Sequence, residues 1–439
     1  RNPHAASHIF PIIRGLIGDM IGQNSPMPIM DLRNGKDELQ FLKRNDLEEL
    51  STRGTASPDH VIRIKSRPLI LRETVWSKGR EAIKQELDKY AKEYKAMFER
   101  QAPLANQPKT MLPTDPKNIW MEGIGLIGLG ANAKAASIAG DLAVQNARVR
   151  AIGEDAGGFR PISEKDLFDC EYWSLEQAKL GKGAPPKFQG KIVMITGGSG
   201  TIGFAIAEAF SKLGAQTVLV DKDETTLKKV ITKLGHGHGY FPIDVTEADA
   251  ADQAMLAAIQ KFGGLDILVS NAGAAHAGPM LSISNDELRS AFELNFFSHY
   301  SFSTAAAKIL KNQNRGGQIL FNISKQAVNP GKNFGAYGLP KATTFFLMRQ
   351  LALELGSDGI RVNGVNADRI RSGLLTDDFI SSRAKSRGVS ESEYMAGNLL
   401  GKEVTAEHVA DAFTSLACAE STTGHVMTVD GGNVEASLR

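Results

Sequence analysis

Ile195-Thr-Gly-Gly-Ser-Gly-Thr-Ile-Gly203 follows directly on the apolar run Lys191-Ile-Val-Met-Ile195 and opens into Ile202-Gly-Phe-Ala-Ile206. The order is a buried strand, a glycine turn and a helix start. Backbone N–H groups at such a helix start face an anion, and glycines without Cβ atoms let a phosphate come close. A glycine pattern alone is weak, so its meaning depends on what lies downstream. The next apolar run, Thr217-Val-Leu-Val-Asp221, ends in an acid 18 residues after Gly203. A carboxylate there accepts hydrogen bonds from the adenosine ribose hydroxyls and repels a 2′-phosphate, which favours NAD and makes NADP the weaker candidate. Lys222 follows directly and weakens that preference, because a cation here can meet a phosphate.

The rhythm around this stretch is regular. Strand-like runs at 191–195, 217–220, 240–243, 266–270, 318–323, 360–365 and 426–429 alternate with helical stretches. Such alternation predicts an α/β fold, a doubly wound parallel sheet of the Rossmann kind covered on both faces. Residues 1–185 have a different texture, and Lys182-Gly-Ala-Pro-Pro-Lys187 is the linker candidate. The expected domains are therefore 1–185 and 186–439. In the first, residues 79–101 read as a solvated helix with Ile83, Leu87, Tyr90 and Tyr94 on one stripe. Residues from Ile119 read as a strand and 131–147 as an Ala-rich helix. Gly123-Ile-Gly-Leu-Ile-Gly128 matches G-x-G-x-x-G literally, but no strand ending in an acid follows at the right distance, so it is read as a decoy.

Chemistry gathers at Ala336-Tyr-Gly-Leu-Pro-Lys-Ala342. Tyr337 and Lys341 are four apart and share a helix face. A phenol is a poor base at neutral pH, and a nearby ammonium lowers its pKa. The pair makes a general acid–base for alcohol/carbonyl exchange. Ser324, 13 residues earlier, ends an apolar run and is placed to hydrogen-bond the substrate oxygen. Asn295 is placed to hold a water that relays protons to Lys341. Pro340 fits this helix only if Tyr337 lies in its first turn.

Composition sets outer bounds. Of 439 residues, 42% are hydrophobic and 23% charged, which is ordinary for a globular protein. A net charge of +2 gives no reason to expect nucleic acid or an anionic membrane as partner. No apolar run approaches the roughly 20 residues that span a bilayer. Cys170 and Cys418 make no disulfide framework and suit a reducing cytoplasm. Arg1-Asn-Pro-His4 has no initiator Met and no signal-peptide pattern, and the expectation is that an upstream part is missing.

Residues 188–439 resemble a short-chain dehydrogenase/reductase. The resemblance rests on the glycine loop, Asp221, Asp244-Val245, Ser270-Asn-Ala-Gly273, Asn295, Ser324, Tyr337, Lys341 and the ending Val429-Asp-Gly-Gly-Asn433. It implies a catalytic tetrad of Asn295, Ser324, Tyr337 and Lys341. It also implies cofactor contacts from Gly197, Ser199, Gly200, Thr201, Ile202, Gly203, Asp221, Asp244, Val245, Asn271, Ala272, Gly273, Tyr337, Lys341 and Ile370. Two departures stand out. The family loop is T-G-x-x-x-G-x-G, whereas here glycines recur at every third position. The family's Pro-Gly after Val362-Asn-Gly-Val-Asn366 is replaced by Ala367-Asp368, which shifts the carboxamide contacts to Ile370 and the usual Thr position to Ser372.

Gly54–Lys65 and Phe168–Leu180 are similar to the middle of bacterial fusions that join a class II aldolase/adducin-like domain to a short-chain dehydrogenase. Some of these are described as rhamnulose-phosphate aldolase/lactaldehyde dehydrogenase enzymes. Such an aldolase domain holds zinc with a His-x-His pair and a third His. His4, His8 and His60 form no such pair, and His236/His238 sits in a glycine turn of the dehydrogenase part, so no metal site is assigned.

The combined expectation is a cytoplasmic oxidoreductase, NAD favoured, acting on a small sugar-derived alcohol or hydroxyaldehyde. It is expected to be a homo-oligomer, dimer or tetramer, with no nucleic-acid or membrane partner. Arg369, Arg371, the loop through Tyr394 and His276 are the expected substrate contacts. The rivals are a bifunctional sugar-phosphate aldolase/dehydrogenase whose zinc site lies outside this chain, and a cofactor-binding scaffold without turnover.

Overall fold

The computed structural model describes residues 3–23, 25–57, 60–178, 183–373 and 375–433. Pro58, Asp59, Lys179, Leu180 and Lys182 of the segments read above, and the side chain of His4, lie outside the described residues. Contacts separate the chain into two compact units, residues 1–190 with 259–264, and residues 191–258 with 265–439.

The first unit is a mixed α/β domain. Strands β1 (Ile29–Arg33), β2 (Leu69–Leu71), β3 (Asn118–Met121) and β4 (Gly125–Gly130) form one sheet in the order β1-β4-β3-β2. β4 runs antiparallel to both of its neighbours. The helix Arg80–Gln101 buries Ile83, Leu87, Tyr90 and Tyr94, the stripe its sequence predicts. The Ala-rich helix runs Ala133–Asp155, eight residues beyond its predicted end at 147, and the Asn132 side chain caps it by accepting from the Ala135 N–H. Gly128, the last glycine of the literal G-x-G-x-x-G, and Gly130 just beyond it are packing positions. A Cβ on Gly128 would lie 2.2 Å from the Gly140 nitrogen, and one on Gly130 would lie 2.2 Å from the Ala136 nitrogen. The bare Cα atoms let β4 lie directly on the Ala133–Asp155 backbone.

The second unit is built on seven parallel strands: β5 (Ile192–Thr196), β6 (Gln216–Asp221), β7 (Gly239–Pro242), β8 (Ile267–Ser270), β9 (Gly317–Asn322), β10 (Ile360–Ala367) and β11 (Val426–Val429). Each predicted run is one of these strands. Their order is β11-β10-β9-β8-β5-β6-β7, a Rossmann-like sheet. The winding reverses between β5 and β8, so the loops leaving their carboxyl ends diverge and open a crevice. Every residue of β5 is buried, as a central strand covered on both faces requires. The longest connection in this unit joins β10 to β11 and carries helices Asp377–Arg387, Glu391–Met395 and Ala406–Cys418.

The helix Gly335–Leu355 has Tyr337 as its third residue, in the first turn. Pro340 comes one turn later, so the Ala336 carbonyl loses its usual i+4 donor. His238 is taken up internally, its ring nitrogens meeting Thr217 Oγ1 at 2.9 Å and Ser211 Oγ at 3.1 Å. Among the described residues no helix is long and apolar enough to cross a membrane.

Candidate functional site

The glycines after β5 are there for two reasons. Gly197 has φ +65°, and a Cβ on it would come 3.0 Å from Ala272 Cα. A Cβ on Gly203 would lie 2.1 Å from the Gly197 carbonyl oxygen, so the first helical turn could not close on the loop. Gly200 differs: a Cβ there would meet nothing nearer than the Gly197 oxygen, 3.4 Å away. It caps the helix Thr201–Lys212, and its bare Cα faces the crevice. This is the close approach a phosphate needs at a helix N-terminus.

Asp221 ends β6 beside this loop. Its carboxylate accepts from the Ser199 N–H at 3.2 Å and the Asp223 N–H at 3.3 Å. Lys222 points elsewhere, with Nζ 3.9 Å from Asp244. The Thr246 N–H and hydroxyl, bonded to Asp244, hold its carboxyl below the usual carboxylate range, with Lys222 adding to the effect. Val245 is buried.

The floor of the crevice is a chain of hydrogen bonds that spacing alone does not show. Thr196 Oγ1 accepts from the Asn271 and Ala272 N–H groups at 2.9 and 3.0 Å. Asn322 Nδ2 donates to Asn271 Oδ1 at 2.8 Å, and Lys341 Nζ donates to the Asn322 carbonyl at 3.1 Å. Thr196 and Asn322 were not among the expected site residues. Both lie at strand ends, where polar residues after an apolar run are the available signal.

Tyr337 and Lys341 are buried and lie on one helix face, with Nζ 5.8 Å from the phenol ring centroid. The Ser324 side chain lies beside the Tyr337 phenol and favours its ionised form. The expected lowering of the phenol pKa by Lys341 is not what this geometry gives. Burial pushes Tyr337 up to about 12, opposed by Ser324, while burial pushes Lys341 down to about 8. Desolvation of two charge-bearing groups outweighs their mutual influence.

Asn295 sits in a π-turn, Glu293–Phe297, and is fully buried. Its Nδ2 donates to the Ala274 carbonyl at 2.9 Å and to the Ala291 carbonyl at 3.1 Å, and its Oδ1 accepts from the Ala274 N–H at 3.3 Å. It therefore clamps the turn that Lys341 approaches: a Cβ on Gly273 would lie 2.8 Å from Asn295 Oδ1 and 3.5 Å from Lys341 Nζ.

Around these groups lies a cavity of about 760 Å³. Gly197, Gly200, Thr201, Ile202, Gly203, Asp221, Asn271, Ala272 and Gly273 line one end, and Ser324, Tyr337, Lys341 and Ile370 the middle. Ser199, Asp244, Val245 and Asn295 do not line it. Nor does His276 or Arg371. Arg371 is held instead by Glu403 at 2.7 Å and Asp377 at 2.6 Å. Arg369 and Ser372 do line it, as do Arg383, Arg387 and Tyr394 from the β10–β11 connection.

The unusual Asp368 is a buried hub. Its oxygens take Lys325 at 2.8 Å, Asn433 Nδ2 at 2.5 Å and Arg369 Nε at 3.6 Å. A buried carboxylate is tolerated when it is paired and hydrogen-bonded in this way.

The residues present fit a nicotinamide dinucleotide. The cavity reaches from a glycine-capped helix start and a strand-end carboxylate to the Ser324–Tyr337 pair, and the open Cα of Gly200 faces it. Comparison with known proteins agrees. Residues 198–433 match the profile described as enoyl-(acyl carrier protein) reductase, and residues 4–180 match that of the aldolase class II second domain. The chain is 30% identical to an uncharacterized oxidoreductase, YuxG, of Bacillus subtilis over 98% of its own length, and spans 64% of that relative. Among solved structures it is similar to a 3-ketoacyl-(acyl-carrier-protein) reductase from Brucella melitensis complexed with NADH. The identity is 27%, the TM-score 0.51, and the match covers 55% of this chain and 98% of that one. L-sorbose reductase from Gluconobacter frateurii, complexed with NADPH and L-sorbose, matches at 27% identity and TM-score 0.53, over 57% of this chain and 98% of that one. The crevice, the hydroxyl pair beside a buried lysine and these matches agree: the chain belongs to the short-chain dehydrogenase/reductase family as an NAD(P)-dependent oxidoreductase, its dehydrogenase part preceded by a class II aldolase-like domain.

Proposed function

We propose that the protein is an NAD-preferring oxidoreductase that interconverts a small sugar-derived alcohol and its carbonyl compound. The observation that carries this reading is that Ser324, Tyr337 and Lys341 line one cavity with Gly200 and Asp221. When bound, the nicotinamide supplies the hydride acceptor or donor. Ser324 Oγ and the Tyr337 hydroxyl hold the substrate oxygen. In reduction, Tyr337 gives its proton to the oxygen as negative charge develops there. With its pKa pushed up to about 12, the phenol is fully protonated at neutral pH, which suits the acid role. Lys341 is in place to hold the nicotinamide ribose, and Asn295 acts through the Ala274 turn as a positioning residue.

The NAD preference is supported by Asp221 on the cavity wall and by Lys222 being turned to Asp244. The sugar class is supported by the preceding aldolase-like domain and by the likeness to a sorbose reductase. The test is a screen of sugars, polyols and hydroxyaldehydes with NAD and with NADP, repeated on Tyr337→Phe. The variant is expected to lose about 10²–10⁴ in kcat while binding NAD normally. A scaffold without turnover predicts no activity in either protein.

The aldolase-profile match over residues 4–180 favours a second reading, a bifunctional aldolase/dehydrogenase. It requires retro-aldol cleavage and bound metal in the longest encoded protein, and the absence of both rejects it. Cys170 and Cys418 form no disulfide, which fits a cytoplasmic setting. We also propose that the protein is a homo-oligomer paired through the Tyr337 helix. Leu339, Phe346 and Leu353 recur every seventh residue on its outer face, 47%, 61% and 81% exposed.

A further inference from the structure

We propose that the cavity selects a substrate bearing a carboxylate or phosphate, and that Arg383 is the residue that reads it. The inference rests on the oxidoreductase reading and deepens it by naming the substrate's charge.

Arg383 lies on the helix Asp377–Arg387 with its guanidinium over two rings, 5.3 Å from the Phe334 centroid and 5.6 Å from that of Phe379. The rings meet edge to face at 5.9 Å and fix the guanidinium plane. Phe334 immediately precedes the Tyr337 helix, three residues before the phenol. An anion held by Arg383 therefore sits within a small molecule's length of the reacting oxygen. Arg383 Nε is buried and makes no hydrogen bond, and among the described residues no carboxylate pairs with Arg383 or Arg387.

The remaining charges sharpen the point. Arg387 lies over the Tyr394 ring at 5.3 Å, and Arg369 lies over the same ring at 4.7 Å. Arg369 is already committed, donating to the Tyr394 carbonyl at 2.6 Å and facing Asp368. Two acids line the cavity. Asp221 is at the adenosine end, and Asp368 is engaged by Lys325, Arg369 and Asn433. Lys332 also lines the cavity and is exposed. Arg383, Arg387 and Lys332 thus line one cavity, and among the described residues no ion pair ties any of them to a carboxylate. Unmatched cations around a concave wall raise the local concentration of anions, and a stacked guanidinium offers carboxylate or phosphate a two-pronged donor edge.

The test uses three carbonyl probes on one three-carbon frame: glyceraldehyde, glyceraldehyde 3-phosphate and tartronate semialdehyde. Their kcat/KM values are compared in the full chain and in Arg383→Met, Arg383→Lys and Arg371→Met. At least one anionic probe is expected to exceed glyceraldehyde about tenfold, and the better one says whether phosphate or carboxylate is meant. Arg383→Met is expected to cut the anionic-to-neutral ratio by about ten- to hundredfold, the loss of a charge-assisted bond. Arg383→Lys should keep part of the ratio, and Arg371→Met all of it. A preference for glyceraldehyde, or a ratio untouched in Arg383→Met, overturns the proposal. If none of the probes is turned over, the oxidoreductase reading is what fails for these compounds. Calorimetric binding of inorganic phosphate and of malonate to the NAD-loaded protein then decides anion recognition separately. Binding that Arg383→Met abolishes supports it, and no binding of either anion refutes it.

Discussion

Lys341 is the residue whose burial has the clearest kinetic consequence. Its ammonium is charged below about 8 and neutral above, because desolvation disfavours the charged form. The Tyr337 phenol keeps its proton to about 12, so it does not titrate in the same range. The kcat/KM for the reduced cofactor reports groups of the free enzyme. In carbonyl reduction it is expected to be flat at neutral pH and to fall about tenfold per unit above about 8. A profile measured from pH 6 to 10 checks this, and a curve flat to pH 10 contradicts it. At this scale Asn295 was named but lies outside the cavity lining, whereas Tyr337, Lys341 and Ser324 line it and were readable from local spacing. Their electrostatics were not. Asp368 looks anomalous in sequence because its partners, Lys325 and Asn433, lie 43 residues before and 65 after it.

Among elements, the loop from β5 into the helix Thr201–Lys212 separates folding from binding. Gly203→Ala drives a Cβ to 2.1 Å from a backbone oxygen and is expected to cost about 3 kcal/mol or more. Gly200→Ala meets only a 3.4 Å contact, so it should fold normally while weakening NAD binding at least about tenfold, because the added methyl stands where the backbone must approach the phosphate. Thermal midpoints and NAD titrations of both variants are the check. Equal loss of stability in the two would reject the division of roles. The seven strands of the second unit were readable from alternation. In the first unit, β2 has three residues and β4 reads Gly-Leu-Ile-Gly-Leu-Gly, so neither length nor pattern announces a strand. The Arg383–Phe334 contact was hidden for another reason. It depends on one helix being laid over the start of another, which no local period encodes.

For the whole molecule, each unit carries its own observable. Trp76, Trp120 and Trp173, all the tryptophans of the chain, fall within residues 1–190, so their fluorescence follows the first unit. That unit contains a buried polar cluster. Glu171 accepts from the Tyr94 hydroxyl at 2.8 Å, and Lys65 lies 3.7 Å over the Tyr94 ring. Burial pushes Glu171 up to about 7, against the pull of Lys65 and Tyr94. The native carboxyl keeps its proton up to about pH 7, whereas the unfolded chain releases it near the ordinary 4.5. The unfolded state thus binds fewer protons between these values, and stability falls as pH rises through that window. The stability of the wild type minus that of Glu171→Gln is expected to decline from about pH 4.5 to 7 in denaturant titrations read by tryptophan emission. A difference independent of pH would show that the carboxyl is charged throughout. For assembly, Phe346→Glu is expected to shift the protein toward monomer in sedimentation, because it places a charge in the middle of the exposed apolar stripe.

The long connection between β10 and β11 has one more consequence. Tyr337 and Lys341 belong to the helix Gly335–Leu355 and Ser324 lies just after β9, whereas Arg369, Arg383, Arg387 and Tyr394 all belong to that connection. On the proposed function, reaction and recognition fall on separate stretches of chain. On the proposed reading the stretch after Ile370 is an exchangeable cassette: replacing residues 375–394 is expected to change which molecule is accepted while Ser324, Tyr337, Lys341 and Ile370 stay in the chain.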